Sequence, residues 1–93
     1  MQVRCLINGE SGESVAADDR GLHYGDGLFE TLAVRDGVCE FWGRHLERLQ
    51  LGCERLRIPS PAPDLLAAET RRLTQGVPHA VLKILLTRGS GGR

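Results

Sequence analysis

The spacing of hydrophobic residues changes from strand-like to helical near residue 43, and that change limits the possible folds more than any other feature. Before residue 43, two hairpin-turn dipeptides, Asn8-Gly9 and Asp36-Gly37, lie beside runs in which apolar and polar residues alternate. Residues 43–57 switch to helical spacing, and residues 80–87 form a dense apolar run of strand length. Hairpins followed by segregated helices predict an α+β fold, a mostly antiparallel sheet with two helices packed on one face.

The boundaries of the elements follow from the same patterns. Strands are predicted at residues 3–7, 14–17, 28–35, 38–42 and 80–87, with an irregular loop at residues 18–27. The last of these strands is the most apolar, and we expect it to be the central strand. The first helix, residues 43–57, carries an apolar stripe that includes Leu49 and Cys53. The second helix runs from about residue 64 to residue 75 and ends at Gly76, because glycine suits the left-handed position after a helix.

The composition is that of an ordinary globular domain. Of the 93 residues, 41% are hydrophobic and 26% are charged, which predicts a single folded domain over residues 1–93. Twelve Lys and Arg balance twelve Asp and Glu, whereas a nucleic-acid-binding protein normally has a basic excess. No apolar run reaches the roughly 20 residues of a membrane span, and no signal-like segment opens the sequence. We therefore expect a cytoplasmic protein that binds neither nucleic acid nor a membrane.

The cysteines and histidines do not suggest a metal site. The cysteines are Cys5, Cys39 and Cys53, an odd number at wide spacing, which argues against disulfides and zinc-binding pairs. We expect them to be reduced and mostly buried thiols. The histidines are His23, His45 and His79, and their spacing fits no metal-binding motif.

One side of the first predicted helix carries the residue types of an anion site. His45, Arg48 and Gly52 lie on one side of this helix, next to its apolar stripe. Glycine costs about 1 kcal/mol relative to alanine inside a helix, so we interpret Gly52 as space cleared for a ligand near Arg48. The planar guanidinium of Arg48 suits a phosphate, to which it can donate two parallel hydrogen bonds. The alternative is a solvated arginine on an amphipathic helix, and composition alone favours that alternative.

Three other segments carry residue types that recur in binding sites. Residues 20–27 are rich in glycine, and Gly25 and Gly27 permit a positive φ or a close backbone approach. Lys83, the only lysine, lies in the most apolar strand, where it is either a reactive amine or a side chain that reaches solvent. Residues 88–93, Arg-Gly-Ser-Gly-Gly-Arg, could hold an anion between backbone amides and two arginines, but they lack the P-loop motif.

Four motifs in this order resemble one enzyme family. They are Ile-Asn-Gly at residues 7–9, Asp-Arg-Gly-Leu-His-Tyr-Gly-Asp-Gly-Leu-Phe-Glu-Thr at 19–31, His-Leu-Glu-Arg-Leu at 45–49 and Thr-Arg-Gly-Ser-Gly-Gly-Arg at 87–93. Each motif is modest alone, but the ordered set resembles the class IV pyridoxal-phosphate enzymes of fold type IV. That family contains branched-chain and D-amino-acid aminotransferases and aminodeoxychorismate lyases. The resemblance covers the whole chain and implies the N-terminal part of a longer two-domain enzyme.

The resemblance also implies roles for particular residues. Arg48 matches the family arginine that binds the phosphate of pyridoxal 5′-phosphate, and Arg93 matches an arginine that binds a substrate carboxylate. Phe29 is expected to line the substrate pocket, at a position where D-amino-acid aminotransferases tend to have tyrosine. The lysine that carries the cofactor is expected beyond Arg93, and Lys83 does not match it. No catalytic residue is therefore expected within these 93 residues.

The chain most resembles the lyase branch of the family, because the 88–93 segment is typical of that branch and Phe29 departs from the tyrosine of D-amino-acid aminotransferases. Such an enzyme releases pyruvate from 4-amino-4-deoxychorismate to give 4-aminobenzoate for folate synthesis, and acts as a homodimer on a small-molecule substrate. A class IV aminotransferase is the first alternative, and a non-catalytic domain that acts only in assembly is the second. The glycine-rich end is either a loose tail or a point inside a longer chain, and the reading frame past Arg93 decides between these possibilities.

Overall fold

The computed structural model of the protein describes residues 3–91 and has the predicted α+β architecture. The elements are β1 (Leu6–Ile7), β2 (Glu10–Ser11), α1 (Arg20–Tyr24), β3 (Gly27–Arg35), β4 (Val38–Cys39), α2 (Trp42–Leu56), α3 (Pro63–Thr74) and β5 (His79–Thr87). β1 and β2 form a hairpin of their own, and the main sheet has the order β4-β3-β5. All the strand pairs are antiparallel, as predicted.

Both predicted hairpin turns are present, and both have the same geometry. Asn8 and Gly9 have φ of 52° and 83°, and Asp36 and Gly37 have φ of 52° and 76°. Two successive residues with positive φ form a type I′ turn, whose twist matches that of the flanking strands. Asn and Asp tolerate this conformation better than other residues with a Cβ, and Gly adopts it without strain.

The side chains of β3 alternate between a buried face and an open face. Leu32 and Val34 are buried with Leu82 of β5 in the core, and Leu73 of α3 and Trp42 of α2 pack against them. Both long helices therefore cover one face of the main sheet, as the sequence predicted. Neither long helix covers the other face, most of which is exposed; α1 and its cap contact it at one end, where the Thr87 hydroxyl donates a hydrogen bond to Asp19.

The prediction that residues 80–87 form the central strand is wrong. β5 pairs along its whole length with one edge of β3, from Gly27↔Thr87 to Arg35↔His79, and its other edge has no partner among the described residues. The central strand is β3, but β4 pairs only with Val34 and Arg35. The apolar run was a poor guide to position because its open face also carries two large apolar residues, Val81 and Leu85.

Two other predictions for the first half of the chain are corrected. Residues 14–17 form no strand, because the tight turn pairs Ile7 with Glu10 directly and β2 ends after Ser11. Residues 18–27 are not wholly irregular, since they contain α1. Asp19 caps this helix by accepting a hydrogen bond from the backbone N–H of Gly21 at 2.8 Å, and Gly25 ends it with φ of 63°.

The helix boundaries are close to those predicted. α2 begins at Trp42, earlier than expected, because Phe41 turns the chain with a left-handed φ of 56° and ends the return strand. α3 ends at Thr74, followed by Gly76 with φ of 73°, as the sequence indicated. No helix among residues 3–91 is long and apolar enough to cross a membrane.

The three thiols are free, but they are less buried than expected. Cys53 is buried in α2, Cys39 is half-buried, and Cys5 is exposed. Burial raises the pKa of the Cys39 thiol, which keeps it protonated at neutral pH. Cys5 is exposed because it precedes the short β1 strand.

Candidate functional site

Glu30, His45 and Arg48 form a cluster between the main sheet and α2. Glu30 is on the helix-covered face of β3, and its side chain is only 7% exposed. Nδ1 of His45 donates a hydrogen bond of 2.7 Å to Oε1 of Glu30, and Nε of Arg48 forms an ion pair of 3.7 Å with Oε2. A buried carboxylate needs partners of this kind, because an unpaired charge inside a protein is costly. The two predicted helix residues are therefore joined by one acid from the sheet.

Arg48 keeps most of its binding capacity. Its side chain is 75% exposed, and no other hydrogen bond or ion pair to the described residues involves its terminal nitrogens. A guanidinium with two free terminal nitrogens can donate two parallel hydrogen bonds to a phosphate. The role in phosphate binding that the resemblance implied for Arg48 stays a prediction, and the exposure of its side chain is compatible with it.

The interpretation of Gly52 as cleared space is wrong. A Cβ at this position would lie 2.4 Å from Cδ1 of Leu28, so the missing side chain makes room for Leu28 of β3. Gly52 thus lets α2 pack closely on the sheet. The phosphate-binding interpretation of Arg48 stands on its exposure and its ion pair, without this feature.

Phe29 and Lys83 lie together on the open face of the sheet. The Phe29 side chain is 57% exposed, and Nζ of Lys83 lies 4.6 Å from the centre of its ring. Val81 and Leu85, which share this face of β5, are 75% and 60% exposed. Of the two possibilities for Lys83, the structure shows the accessible one: its amine reaches the surface and packs on an aromatic ring.

The sheet separates the predicted site residues into two groups. Phe29 and Glu30 are neighbours in β3 and point to opposite faces, so the Glu30–Arg48 pair and the Phe29 ring lie on different sides. Between Gly27 and Leu32, however, the edge of β3 away from β5 pairs with no described strand. This edge borders both faces of the sheet. Arg93, the third predicted site residue, lies outside the described residues.

A second polar cluster fixes the segment that leads towards Arg93. Oδ2 of Asp26 accepts hydrogen bonds of 2.8 Å from Nε of both Arg20 and Arg88. These bonds, above all that from Arg88, hold the pKa of the Asp26 carboxyl below its ordinary value of 3.8. The backbone N–H of Arg88 also donates to the carbonyl of Asp26, and that of Arg20 donates to the carbonyl of Gly89.

One of the two arginines expected to hold an anion at residues 88–93, Arg88, is already hydrogen-bonded within the protein. Nη1 and Nη2 of Arg88 donate to the carbonyls of Arg57 and Leu56, at 3.1 and 2.6 Å, and its Nε is bound to Asp26. These carbonyls are at the C-terminus of α2, where helical partners are absent. Arg88 therefore links the end of β5 to Asp26 in the glycine-rich loop and to the C-terminus of α2 through hydrogen bonds. Gly27 allows β3 and β5 to approach closely beside Arg88, since a Cβ there would lie 2.2 Å from the carbonyl oxygen of Leu86.

Two of the residues that build these clusters, Glu30 and Asp26, were missed as site residues. A signal for Glu30 was present, because it shares its strand face with Leu28, Leu32 and Val34 and is the one charged residue among them. An acid in such a position must find a cation. Asp26 had no comparable signal, since its partners come from distant parts of the chain. Within residues 3–91, no three His, Cys, Asp or Glu side chains are placed to hold a metal ion.

Comparisons with known proteins agree on one family. The sequence profile described as amino-transferase class IV matches residues 27–93. The aminodeoxychorismate lyase of Vibrio harveyi is 34% identical over 87 residues, which cover 94% of this chain and 32% of that protein.

Solved structures give the same result. The 4-amino-4-deoxychorismate lyase of Pseudomonas aeruginosa superposes with a TM-score of 0.82 and 44% identity, over 92% of this chain and 32% of that one. A hypothetical aminotransferase from Mycobacterium tuberculosis in its PLP-bound form has a TM-score of 0.82 and 29% identity, over 92% and 34%. The chain thus spans about a third of the length of the relatives that it matches.

Proposed function

The chain belongs to the amino-transferase class IV family, and from this we propose that it is the N-terminal domain, residues 1–93, of a two-domain aminodeoxychorismate lyase. Such an enzyme releases pyruvate from 4-amino-4-deoxychorismate and leaves 4-aminobenzoate for folate synthesis. The identities of 34% and 44% to two proteins of that name support the lyase branch. An aminotransferase activity is the alternative that the Mycobacterium tuberculosis relative favours.

The observation that supports the proposal at the level of single residues is the exposed guanidinium of Arg48, whose Nε is paired with the buried carboxylate of Glu30. In the proposed enzyme, Arg48 binds the phosphate of pyridoxal 5′-phosphate. The cofactor supplies an electron sink for bond cleavage next to the substrate amine. The contribution of Arg48 is to bind and orient the cofactor by its phosphate.

The open face of the sheet forms one wall of the proposed site. Phe29 is exposed on this face, near the unpaired edge of β3. Its ring offers an apolar surface to the substrate, and Arg93 binds a carboxylate of the substrate. The cofactor-bearing lysine, the acid that contacts the cofactor ring and the opposite wall belong to the part of the enzyme beyond residue 93. We propose that the complete enzyme is a cytoplasmic homodimer.

An assay of the natural protein that carries this chain tests the reaction. We expect the purified protein to release 4-aminobenzoate and pyruvate from 4-amino-4-deoxychorismate. The same preparation is assayed with D-alanine, and separately with branched-chain amino acids, in the presence of 2-oxoglutarate. Efficient amino transfer without release of 4-aminobenzoate would show that the aminotransferase alternative is correct. No turnover in either assay by a cofactor-loaded protein would favour the non-catalytic domain.

A substitution tests the phosphate site. Arg48→Ala removes charge-assisted hydrogen bonds worth about 1.5–3 kcal/mol, so the Kd for pyridoxal 5′-phosphate should rise roughly 10- to 150-fold. Titration of the apo-protein measures this change. Arg44→Ala is the matched control, because Arg44 is an exposed arginine on the same helix that packs on the Phe41 ring. An equal Kd for Arg48→Ala and the control would remove Arg48 from the site.

A further inference from the structure

The position of the Glu30 carboxylate calls for a role beyond packing. It lies on a sheet face whose other central residues, Leu32 and Val34, are almost fully buried. An apolar residue there would extend the core without the cost of burying a charge, so the acid lowers the stability that this face could have. A residue kept at such a cost is a candidate for function.

The two partners of Glu30 divide its oxygens between them. Oε1 accepts from His45, whose side chain is 21% exposed and lies close to the sheet. This hydrogen bond fixes the carboxylate plane, because His45 is held on α2 and Glu30 on β3. The second oxygen, Oε2, is then presented to Arg48 on the next turn of the same helix.

The Arg48 atom paired with this carboxylate is Nε, at 3.7 Å from Oε2, and among the described residues the terminal nitrogens form no hydrogen bond with it. A carboxylate that paired with the terminal nitrogens would compete with a phosphate for the same donors. An Nε contact leaves those donors free and restricts the rotation of a long side chain. An exposed arginine otherwise loses much of its conformational freedom when it binds a ligand.

We infer that Glu30 is a positioning residue, whose carboxylate, fixed by His45, holds Arg48 at its Nε so that the terminal nitrogens bind the cofactor phosphate. This inference rests on the proposed role of Arg48. The effect of Glu30 on the phosphate has two opposing parts: its negative charge repels the phosphate, and its hold on Arg48 favours binding. Because Arg48 is largely in water, screening weakens the repulsion as well as the ion pair, and the inference requires that the positioning effect be the larger of the two.

The test measures the Kd for pyridoxal 5′-phosphate and for pyridoxal, which lacks the phosphate, on the apo-form of the natural protein. Glu30→Gln keeps the size of the side chain and removes its charge, while Glu30→Asp keeps the charge and shortens the reach. Glu40→Gln is the matched control, since it removes the acid of an exposed ion pair, Arg35–Glu40 at 2.8 Å. Thermal unfolding of each apo-protein identifies variants that do not fold, and if Glu30→Gln is one of them, Glu30→Asp decides.

We expect both Glu30 variants to raise the Kd for pyridoxal 5′-phosphate roughly three- to tenfold and to leave that for pyridoxal unchanged. In the Arg48→Ala background, Glu30→Gln should have no further effect, because Glu30 acts through Arg48.

Three results would overturn the inference: an unchanged or lower Kd in the Glu30 variants, an equal rise for pyridoxal, or an effect that adds to that of Arg48→Ala. If Arg48→Ala raises the Kd and the Glu30 variants do not, only the role of Glu30 is wrong. If Arg48→Ala leaves the Kd unchanged, the phosphate site of the proposed function fails as well.

Discussion

At the scale of single residues, Asp26 joins parts of the chain that are far apart in sequence. Its carboxylate holds Arg20 of α1 and Arg88, which follows β5, and Arg88 in turn binds the last carbonyls of α2. The Asp26 side chain is 15% exposed, so water competes little for these bonds. Together with the backbone hydrogen bonds of Arg88 and Gly89, this acid fixes the segment that follows β5.

The acid dependence of stability tests this role. The pKa of Asp26 is lowered, chiefly by the hydrogen bond from Arg88, so the unfolded chain binds its proton more readily than the folded one. Its stabilising effect is complete at neutral pH and is lost as the pH falls below the ordinary value of 3.8 through the pKa of the folded state. Asp26→Asn should therefore lower the urea midpoint at pH 7, and by less near pH 3.

The control for this experiment is Asp18→Asn, since Asp18 is exposed and precedes the helix cap. Urea unfolding of both variants at the two pH values gives the comparison. Equal midpoints for Asp26→Asn and the unsubstituted protein at pH 7 would mean that the two arginines find other partners at no cost.

Residue types predicted the site only in part. Arg48 was found because an arginine at one helical spacing from His45 matches a motif. Glu30 was missed because its importance comes from burial, which depends on the face that the helices cover. Gly52 was misinterpreted for a related reason: a missing side chain makes room either for a ligand or for a neighbour, and only the position of Leu28 distinguishes them.

At the scale of elements, α2 is the part that connects the core to the site. Leu49 and Cys53 are each 1% exposed and attach the helix to the sheet, while Arg48 lies beside Leu49 with its side chain in solvent. The helical periodicity in the sequence predicted this division well, because burial on an amphipathic helix repeats with the helical turn. The packing of Leu49 therefore sets where Arg48 is presented.

Truncation of Leu49 tests how firmly α2 is held. Leu49→Ala removes a fully buried side chain and should destabilise the protein by about 2–5 kcal/mol through lost burial and a cavity. Leu51→Ala, on the same helix at a residue that is 47% exposed, should change the unfolding free energy by less than about 0.5 kcal/mol. Denaturant titration measures both. Similar losses for the two variants would mean that α2 is not anchored through Leu49.

Short elements were harder to predict than long ones. The sequence located β3, α2, α3 and β5 to within a few residues, because each has enough positions to show a period. α1 was missed since five residues show no period, although Asp19 and Gly25 carry the chemistry of helix caps. The expected strand at residues 14–17 failed because the tight turn at Asn8 pairs only the adjacent residues.

At the scale of the whole molecule, the main sheet has one face covered by the two long helices and one face that is largely exposed to solvent. The helices bury Leu32, Val34 and Leu82, whereas Val81 and Leu85 remain in solvent on the other side. Apolar surface of this kind is typical of a contact with another protein surface or a ligand. The sequence could not show that β5 lies at an edge, because large apolar residues occur on both of its faces.

The open face also predicts how residues 1–93 behave alone. The described residues provide one proposed phosphate-binding arginine and one proposed wall, and Lys83 lies on the face opposite to the Glu30–Arg48 pair. A cofactor site also needs a lysine in place and walls that exclude water. We expect no stoichiometric adduct when this chain is mixed with pyridoxal 5′-phosphate and reduced with borohydride, and no release of 4-aminobenzoate.

Mass spectrometry and absorption spectra check this expectation, with a Lys83→Arg chain as the control for reaction at the N-terminal amine. A one-to-one adduct at Lys83 together with lyase turnover would refute both the need for a second domain and the assignment of the site to Arg48.

The pairing of β3 with β5 also affects the rate at which the chain folds. Arg35 pairs with His79 and Gly27 with Thr87, so forming the ladder closes a loop of residues 36–78, which contains both long helices. Loop closure of this kind costs chain entropy before any pair returns it, and chains dominated by distant pairs fold slowly. Until the ladder closes, the two most apolar strands remain exposed to other copies of the chain. The rate of this one step limits how much of the chain reaches the native sheet before it aggregates.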